Sequence, residues 1–568
     1  MIARNTFAAL LALSLGACAT VPSAQGTASE PVTIGIIGLN DFHGNLQPVQ
    51  RALEVDDATQ VQAGGAAYLA TAIDTLRARH ENTLVISAGD LISASPLVSS
   101  LFLDEPTVGA MNRIGLDFNA VGNHEFDRGW RELKRLAEGG CEKLTLREPC
   151  AVEPDYAGAQ FGFLAANVLA APGISQDGTL FPGTAIRRFG AGERQVGIGI
   201  IGLTLEGTPN LVTPEGIAGL TFADEADTIN AAAADLDAKG ADAVVVAIHQ
   251  GLAPDDQQTV FGCAAISGPL REILDRLNPG IDVVISGHTH RPYVCDYSTV
   301  DPARPMLVTS AAWGGQMLTD ITLTIDPAAG RVIARDARNL VIASDDSVAR
   351  DGIVSPAPRE DIAAYVARYA EAAKEAETRP VGKLSGAARK DGLEHALGNL
   401  VADSQLAATR NAGAQIALMN PGGIRGDLVP DESGTLTFGQ IYTVQPFGNT
   451  LITKSFTGAQ LLALLRSQFR EDGSTIFSGS EGFRQTLARD GDTYRFVSAT
   501  LNGQPIDPAA SYRVTMNSFL ATGGDGFDIF AQGTDAVTGP VDLDATEAYL
   551  DGEGVRALPA TDRITVID

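Results

Sequence analysis

Five of the seven histidines in this 568-residue chain stand where a short apolar run gives way to a loop: His43, His124, His249, His288 and His290. His80 and His395 do not. Carboxylates and an amide accompany the five. Asp41 lies two residues before His43, Asp90 closes NTLVISAGD, Asn123 precedes His124, and His288 and His290 repeat the i, i+2 spacing. Where extended backbone continues, that spacing puts both members of a pair on one face. A single histidine behind a strand is usually an ordinary loop residue, since perturbed histidines only sometimes mark sites. Five of them beside Asp41, Asp90 and Asn123 make a nitrogen and oxygen donor set without thiolate. Such a set suits Zn, Mn, Co or Fe better than Ca or Mg alone. Of these eight side chains, seven ligands (Asp41, His43, Asp90, Asn123, His249, His288 and His290, with His124 left aside) already exceed the needs of one four-coordinate ion. With Asp90 as a bridge they predict two divalent cations about 3.5–4 Å apart, the two-metal arrangement of phosphatases.

Something must hold these side chains together. From Val32 to about Asn339 the chain carries eight strand-length apolar runs, among them TIGIIGLN, NTLVISAGD, DAVVVAIHQG and IDVVISGHT. Between them lie AAYLATAIDTLRARH and ADTINAAAADLDAKG, with apolar residues at helical spacing. The alternation predicts a layered α/β domain, and open α/β sheets place ligands at the ends of their strands. Residues Pro358 to about Glu377 predict a charged, Ala-rich helix joining two domains. The remainder, about Val381 to Asp568, mixes helices (HALGNLVADSQLAATR, AQLLALLRSQF) with strands (NTLITKSFTG, YRFVSATLNG, SYRVTMNS), a second α/β domain.

Lys plus Arg is 41 and Asp plus Glu is 69, a formal net charge of −28. That surplus repels phosphate backbones and argues against a nucleic-acid polymer as partner. A small anionic ligand would need cations to neutralise it. At the N-terminus, Arg4 and the apolar run Phe7 to Leu15 form an export signal too short to span a bilayer. Leu15-Gly16-Ala17-Cys18 is similar to a bacterial lipobox, with Cys18 lipidated and residues 19–31 a tether; ordinary cleavage after a small-residue pattern is the alternative. Any membrane association is expected through that anchor alone, at a periplasmic or cell-surface location. The other four cysteines predict two local disulfides, Cys141 with Cys150 and Cys263 with Cys295; no CxxC spacing favours metal.

The ordered series GLNDFHG, a GD pair, GNHEFD, IHQG and SGHTH resembles the calcineurin-like metallophosphoesterases, and together these motifs look like their 5′-nucleotidase / UDP-sugar hydrolase branch. The resemblance implies a four-layer β-sandwich flanked by helices at 32–345, a linker helix and hinge at 346–380, and a C-terminal nucleotide-binding α/β domain at 381–568. It assigns Asp41, His43, Asp90 and His290 to one metal, and Asp90, Asn123, His249 and His288 to the other. His290 stands where some members of the branch carry Gln. His124 is implied as the catalytic residue and Asp127 as its orienting carboxylate; the lesser, plain reading of Asp127 is a helix-start residue. A carboxylate on one ring nitrogen fixes the tautomer and stabilises the imidazolium.

In the second half, NPGGIR at 420–425, QPFGN at 445–449 and NSFLATGGDGF at 517–527 are each ordinary turn sequences when taken singly. In order they look like the nucleotide-binding half of the same family. By that resemblance Phe447 and Phe519 sandwich the base, Asp525 accepts from ribose hydroxyls, Asn420 contacts the base and Arg425 meets phosphate or ribose. The family usually places arginines just before the segment resembling EHALGNL at 394–400; here the nearest is Arg389, the candidate substrate-binding arginine of that location.

The implied function is an exported phosphohydrolase that releases phosphate from nucleoside 5′-monophosphates by attack of a metal-bound hydroxide. Di- and triphosphates and UDP-sugars are further candidate substrates. The alternatives are a 2′,3′-cyclic nucleotide phosphodiesterase and a surface lipoprotein that binds nucleotides without turnover. A related thiosulfate-releasing hydrolase is disfavoured, because an inorganic sulfur group needs no base sandwich. Nothing in the sequence assigns an oligomeric state.

Overall fold

The strand Val32–Leu39 is buried at every position but Thr33, because it lies inside a sheet covered on both faces. The computed structural model describes residues 30–567 except 57–58, 146, 254–259, 264, 346–349, 471–472, 492 and 553. The expected signal and lipidation site at 1–18, and all but the last residues of the expected tether at 19–31, lie outside the described residues.

Val32–Leu39 pairs in parallel with Asn82–Ser87, which pairs with Phe118–Ala120 and then Gly162–Leu164. On its other side the antiparallel strands Met317–Asp326 and Arg331–Ile342 follow. A second sheet runs in the order Tyr293–Asp296, Leu307–Ser310, Val283–Ser286, Ala243–His249, Val196–Thr204 and Thr184–Phe189. The two sheets face each other through Ile34, Ile36, Leu84 and Ile86 on one side and Ile198, Val245, Val283 and Ile285 on the other. Each such side chain contributes about 1.5–3 kcal/mol on full burial. Helices Ala66–Arg77, Glu105–Ile114 and Trp130–Glu138 cover the first sheet, and Glu225–Ala238 and Pro269–Arg276 cover the second. The result is the expected four-layer α/β sandwich.

The expected connecting helix spans Glu360–Thr378. Its apolar face, Ile362, Tyr365, Val366 and Tyr369, is packed into the N-terminal core, while Ala376 near its end touches the C-terminal core. At Arg379, paired with Glu547, the chain passes into strand Pro380–Leu384 of the C-terminal half. That half holds a five-stranded sheet in the order Ser478–Gly479, Ile416–Met419, Ser511–Asn517, Thr450–Thr457 and Thr534–Val541. Helices Ala396–Thr409 and Asp542–Leu550 pack beside it, and a four-stranded sheet ends in Ile564–Ile567.

Both disulfides form as expected, Cys141–Cys150 and Cys263–Cys295, with Cα separations of 5.6 and 4.9 Å. The first closes a loop whose Arg147 reaches Tyr442 of the C-terminal half, with Nη2 3.4 Å from the hydroxyl. Leu97, from the N-terminal half, lies in the C-terminal apolar core. Among the described residues no helix is long and apolar enough to cross a membrane.

Candidate active site

The ends of the parallel strands in both sheets converge on one point. Asp41 and His43 follow Val32–Leu39, Asp90 follows Asn82–Ser87, His249 ends Ala243–His249, and His288 and His290 follow Val283–Ser286. Asp41, His43, Asp90, His288 and His290 all have positive φ, between 46° and 71°. L-residues adopt this region at a cost, and such outliers gather where the surrounding fold imposes a functional geometry. Here the sharp turns fold each loop back so that its donor points across the sheet ends.

Asp41, His43 and His290 form one cluster of donor atoms, and Asp90, His249 and His288 form another; Asp90 also groups with His43 and His124. His43 Nε2 lies 3.3 Å from His290 Nε2 and 3.7 Å from Asp90 Oδ2. His249 Nε2 lies 2.9 Å from Asp90 Oδ2 and 4.0 Å from Asp41 Oδ1. His43 Nδ1 meets the Ser93 carbonyl at 2.9 Å, and His249 Nδ1 the Ala88 carbonyl at 2.8 Å. A carbonyl cannot donate, so Nδ1 carries the proton in both rings. When the rings are neutral, each Nε2 lone pair is turned to the centre. Asn123 Oδ1 is fully buried without a hydrogen-bond partner, and a neutral His249 turns its buried Nε2 lone pair to the Asp90 carboxylate, 2.9 Å away, which has no proton to give. Orphaned buried acceptors among carboxylates are costly alone and are what a divalent cation satisfies, so the residues fit the metal.

The electrostatics agree. Burial favours a neutral Asp90, yet His249, His124 and His43 hold its carboxyl well below the usual range. Burial likewise opposes ionisation of Asp41, but the His290 and His249 charges keep it lowered. His288 is held down to about 4 by burial and by His249. Burial works against the His249 imidazolium, but Asp90 and Asp41 push its pKa up to about 10. A cation arriving between them would displace that proton.

His124 opens a short 3-10 turn, and its Nδ1 lies 2.8 Å from Asp127 Oδ2. Burial disfavours the charged ring, but Asp127 and Asp90 outweigh it and raise the pKa. Its other nitrogen is thereby left to hold a proton toward the centre. Asp127 closes that turn and starts no helix of its own; the helix that follows starts from Gly129.

Sequence reasoning missed the supports. Glu125, buried beside His124, accepts from the backbone amides of Asp90, Leu91 and Gly122 at 3.0, 2.9 and 2.7 Å. It ties the Asp90 loop to the Asn123-His124 loop. Asp104 accepts from Arg128 at 2.5 Å and from the Ser93 amide at 3.2 Å, which steadies the carbonyl that orients His43. Trp313 stacks on His290, ring centroids 5.7 Å apart and 10° from parallel. Glu125 stands among ligand-type residues in GNHEFD, which gave no separate signal for it; most of the partners are remote in sequence.

The C-terminal half faces this centre. Phe447 stacks on His124 with centroids 5.7 Å apart and planes 15° apart. Arg425, 6.0 Å over the Phe447 ring, lies in the field of Asp90, Asp127 and Asp41. Asn420 Nδ2 donates to Asp525 Oδ2 at 2.7 Å, and Asn517 Nδ2 donates to Asn420 Oδ1 at 3.1 Å. Phe519 packs over Gly524 so closely that a Cβ there would lie 2.6 Å from the ring. Asn420, Arg425, Phe447, Phe519 and Asp525 thus lie on neighbouring loops of one domain face. Arg389 does not join them: it is exposed and paired with Asp427 at 3.3 Å. Its neighbour Lys390 turns inward instead, donating to the Ile424 carbonyl at 2.9 Å beside Arg425.

Residues 34–292 match the calcineurin-like phosphoesterase family, and residues 373–532 match the 5′-nucleotidase C-terminal domain. The chain is 31% identical to an endonuclease of Bacillus subtilis, over 93% of this chain but 40% of that longer protein. It is 26% identical to a 5′-nucleotidase of Vibrio cholerae, over 97% of this chain and 96% of the relative. The crystal structure of a 5′-nucleotidase precursor from Thermus thermophilus superposes with a TM-score of 0.74 at 26% identity, covering 94% of this chain and 99% of the other. Both halves, their order and the convergent strand-end donors place this chain in the 5′-nucleotidase family of calcineurin-like metallophosphoesterases.

Proposed function

We propose that this protein hydrolyses nucleoside 5′-monophosphates, with di- and triphosphates and UDP-sugars as further substrates, using two divalent ions. The observation that carries this reading is the apposition of halves: Phe447 lies flat against His124, and Arg425 reaches the field of the centre's carboxylates. A planar base held at Phe447 and Phe519 would bring its own phosphate to Arg425 and the metal centre. Asp41, His43, Asp90 and His290 would hold one ion, and Asp90, Asn123, His249 and His288 the other. When bound, such ions neutralise phosphoryl oxygens and activate water.

The chain's own groups supply the rest. Arg425 offers a forked set of donors to phosphate oxygens. His124, its raised pKa favouring the imidazolium, gives a proton to the departing ribose oxygen. Asp127 keeps the ring oriented through Nδ1. Asn420 would contact the base and Asp525 the ribose hydroxyls. We assign the catalytic part to 32–345, the linker to 346–380 and the binding part to 381–568. Export with lipidation at Cys18 is part of the same reading, supported by the lipobox-like LGAC and by the two disulfides.

A phosphodiester reading draws on the endonuclease relative, which is more than twice as long as the match. Metal analysis, with the products formed from AMP, UDP-glucose, 2′,3′-cyclic AMP and single-stranded DNA resolved by chromatography, separates the readings. We expect two metal equivalents, turnover of AMP above all, and no cleavage of DNA. Preference for the cyclic nucleotide or for DNA would overturn the monophosphate reading.

A further inference from the structure

The loop Gln445-Pro446-Phe447-Gly448-Asn449 carries an aromatic ring at its tip and turns through Gly448, whose φ of 68° suits glycine. A ring presented on a turn gives a defined stacking height only if both ends of the turn are fixed. One helix fixes them. Asp542 and Thr546 stand at i and i+4 on Asp542–Leu550, hence on one face, and are 2% and 1% exposed. Thr546 Oγ1 donates to Gln445 Oε1 at 2.6 Å, and Ser404 Oγ pairs with Thr546 Oγ1 at 3.0 Å. The Asp542 amide donates to the Asn449 carbonyl at 2.8 Å, and the Asn449 side chain hydrogen-bonds the Asp542 carboxyl. Asn449 Oδ1 then accepts from Ser518 Oγ at 3.1 Å. Ser518 precedes Phe519.

A single buried helix face therefore grips both ends of the Phe447 loop and, through one amide, reaches the turn that bears Phe519. We propose that Asp542 and Thr546 are positioning residues that set Phe447 against Phe519 and so select substrates bearing a planar heteroaromatic base. Burial also raises the Asp542 carboxyl to about 7, so near neutrality it can share a proton within this network. The assignment rests on the nucleotide reading above and adds the residues that create base selectivity.

The test compares AMP with ribose 5-phosphate, the same phosphate and sugar without the base, using the full metal-loaded chain. Thr546→Val keeps the side-chain volume and removes the hydroxyl; Asp542→Ala removes the carboxyl; Asp542→Asn is the conservative rescue. For Thr546→Val and Asp542→Ala we expect KM for AMP to rise about 10-fold, the scale of weakening one base stack, with kcat nearly kept. The kcat/KM for ribose 5-phosphate should move by less than about two-fold, because no stacked base is lost. Asp542→Asn should recover most of the AMP affinity. Parallel loss on both substrates, or an unchanged KM for AMP, would overturn the assignment. Should Asp542→Ala fail to fold, Thr546→Val decides alone. A wild-type enzyme that treats AMP and ribose 5-phosphate alike would instead sink the nucleotide reading itself, an outcome distinct from variant-independent AMP preference.

Discussion

The two faces that meet in this molecule are built on opposite plans. On the N-terminal side, donors from separate strands crowd until His43 and His290 nitrogens are 3.3 Å apart, on backbone bent into the left-handed region at five of the candidate ligands. On the C-terminal side, Phe447 and Phe519 sit on turns braced from behind by Asn449, Asp542 and Thr546. The first face concentrates charge that is unfavourable without a cation; the second presents aromatic planes and amides, with Arg425 over Phe447 and Asp525 beside Asn420. Concentrated charge gives rate, since fixed charges act on the reacting phosphoryl group, while stacked planes give affinity and choice of substrate. Damage to the two faces should therefore read out differently.

The largest effect is expected at the shared carboxylate. Asp90→Ala should release bound metal and cut phosphate release by well over about 100-fold, beyond the loss typical for a group that merely supports a ligand. Metal content by elemental analysis beside a phosphate assay checks this, and retained metal would break the assignment of Asp90 as a bridge. His124→Ala should lower kcat by about 10²–10⁴-fold with metal content intact. Loss of metal in that variant would move His124 from proton donor to ligand. Across the cleft, Phe447→Ala should act on KM, raising it for AMP by roughly 5- to 150-fold, the equivalent of 1–3 kcal/mol of stacking. An equal loss with ribose 5-phosphate would dissolve the contrast between the faces.

The smallest effect is on stability. The Asp542 carboxyl has its folded pKa raised to about 7 by burial, above an ordinary value of 3.8. Between those values the folded state binds more protons than the unfolded one. Its contribution is thus fully present below about pH 4 and is lost as pH rises through about 7. Thermal melts of Asp542→Asn should show a shallower fall in Tm across that window than the parent chain. An identical slope would mean that Asp542 does not titrate there.

The histidines that matter were legible because each follows a buried apolar run, and a strand end carries its side chain to the sheet rim wherever the strand lies. The layers were legible for the same reason: Val32–Leu39 and Ala243–His249 are apolar at nearly every position, the pattern of strands covered on both sides. Glu125 was visible in GNHEFD but mute, since its three amide donors come partly from the Asp90 loop, more than 30 residues earlier. Arg389 was the nearest arginine by sequence, yet it faces solvent and Asp427 while Lys390 turns toward Arg425, a choice made by loop packing. The linker helix was legible as a helix; that its apolar face belongs to the N-terminal core was not.

By itself, then, the sequence determined the donor types, the strands that end in them, the two disulfides and the surplus of negative charge. These are local properties or follow from residue chemistry alone. Only the tertiary structure decided how these groups meet: Asp127 on Nδ1 of His124, Phe447 lying on that same ring, and a helix more than 90 residues away bracing the Phe447 loop. Packing sets those relations because each depends on angles and gaps between elements, and no local pattern encodes them. The net charge of −28 shows the division well. Composition shows that the chain is acidic, whereas the fold shows where Asp41 and Asp90 are gathered with histidines so that cations can reverse the local sign.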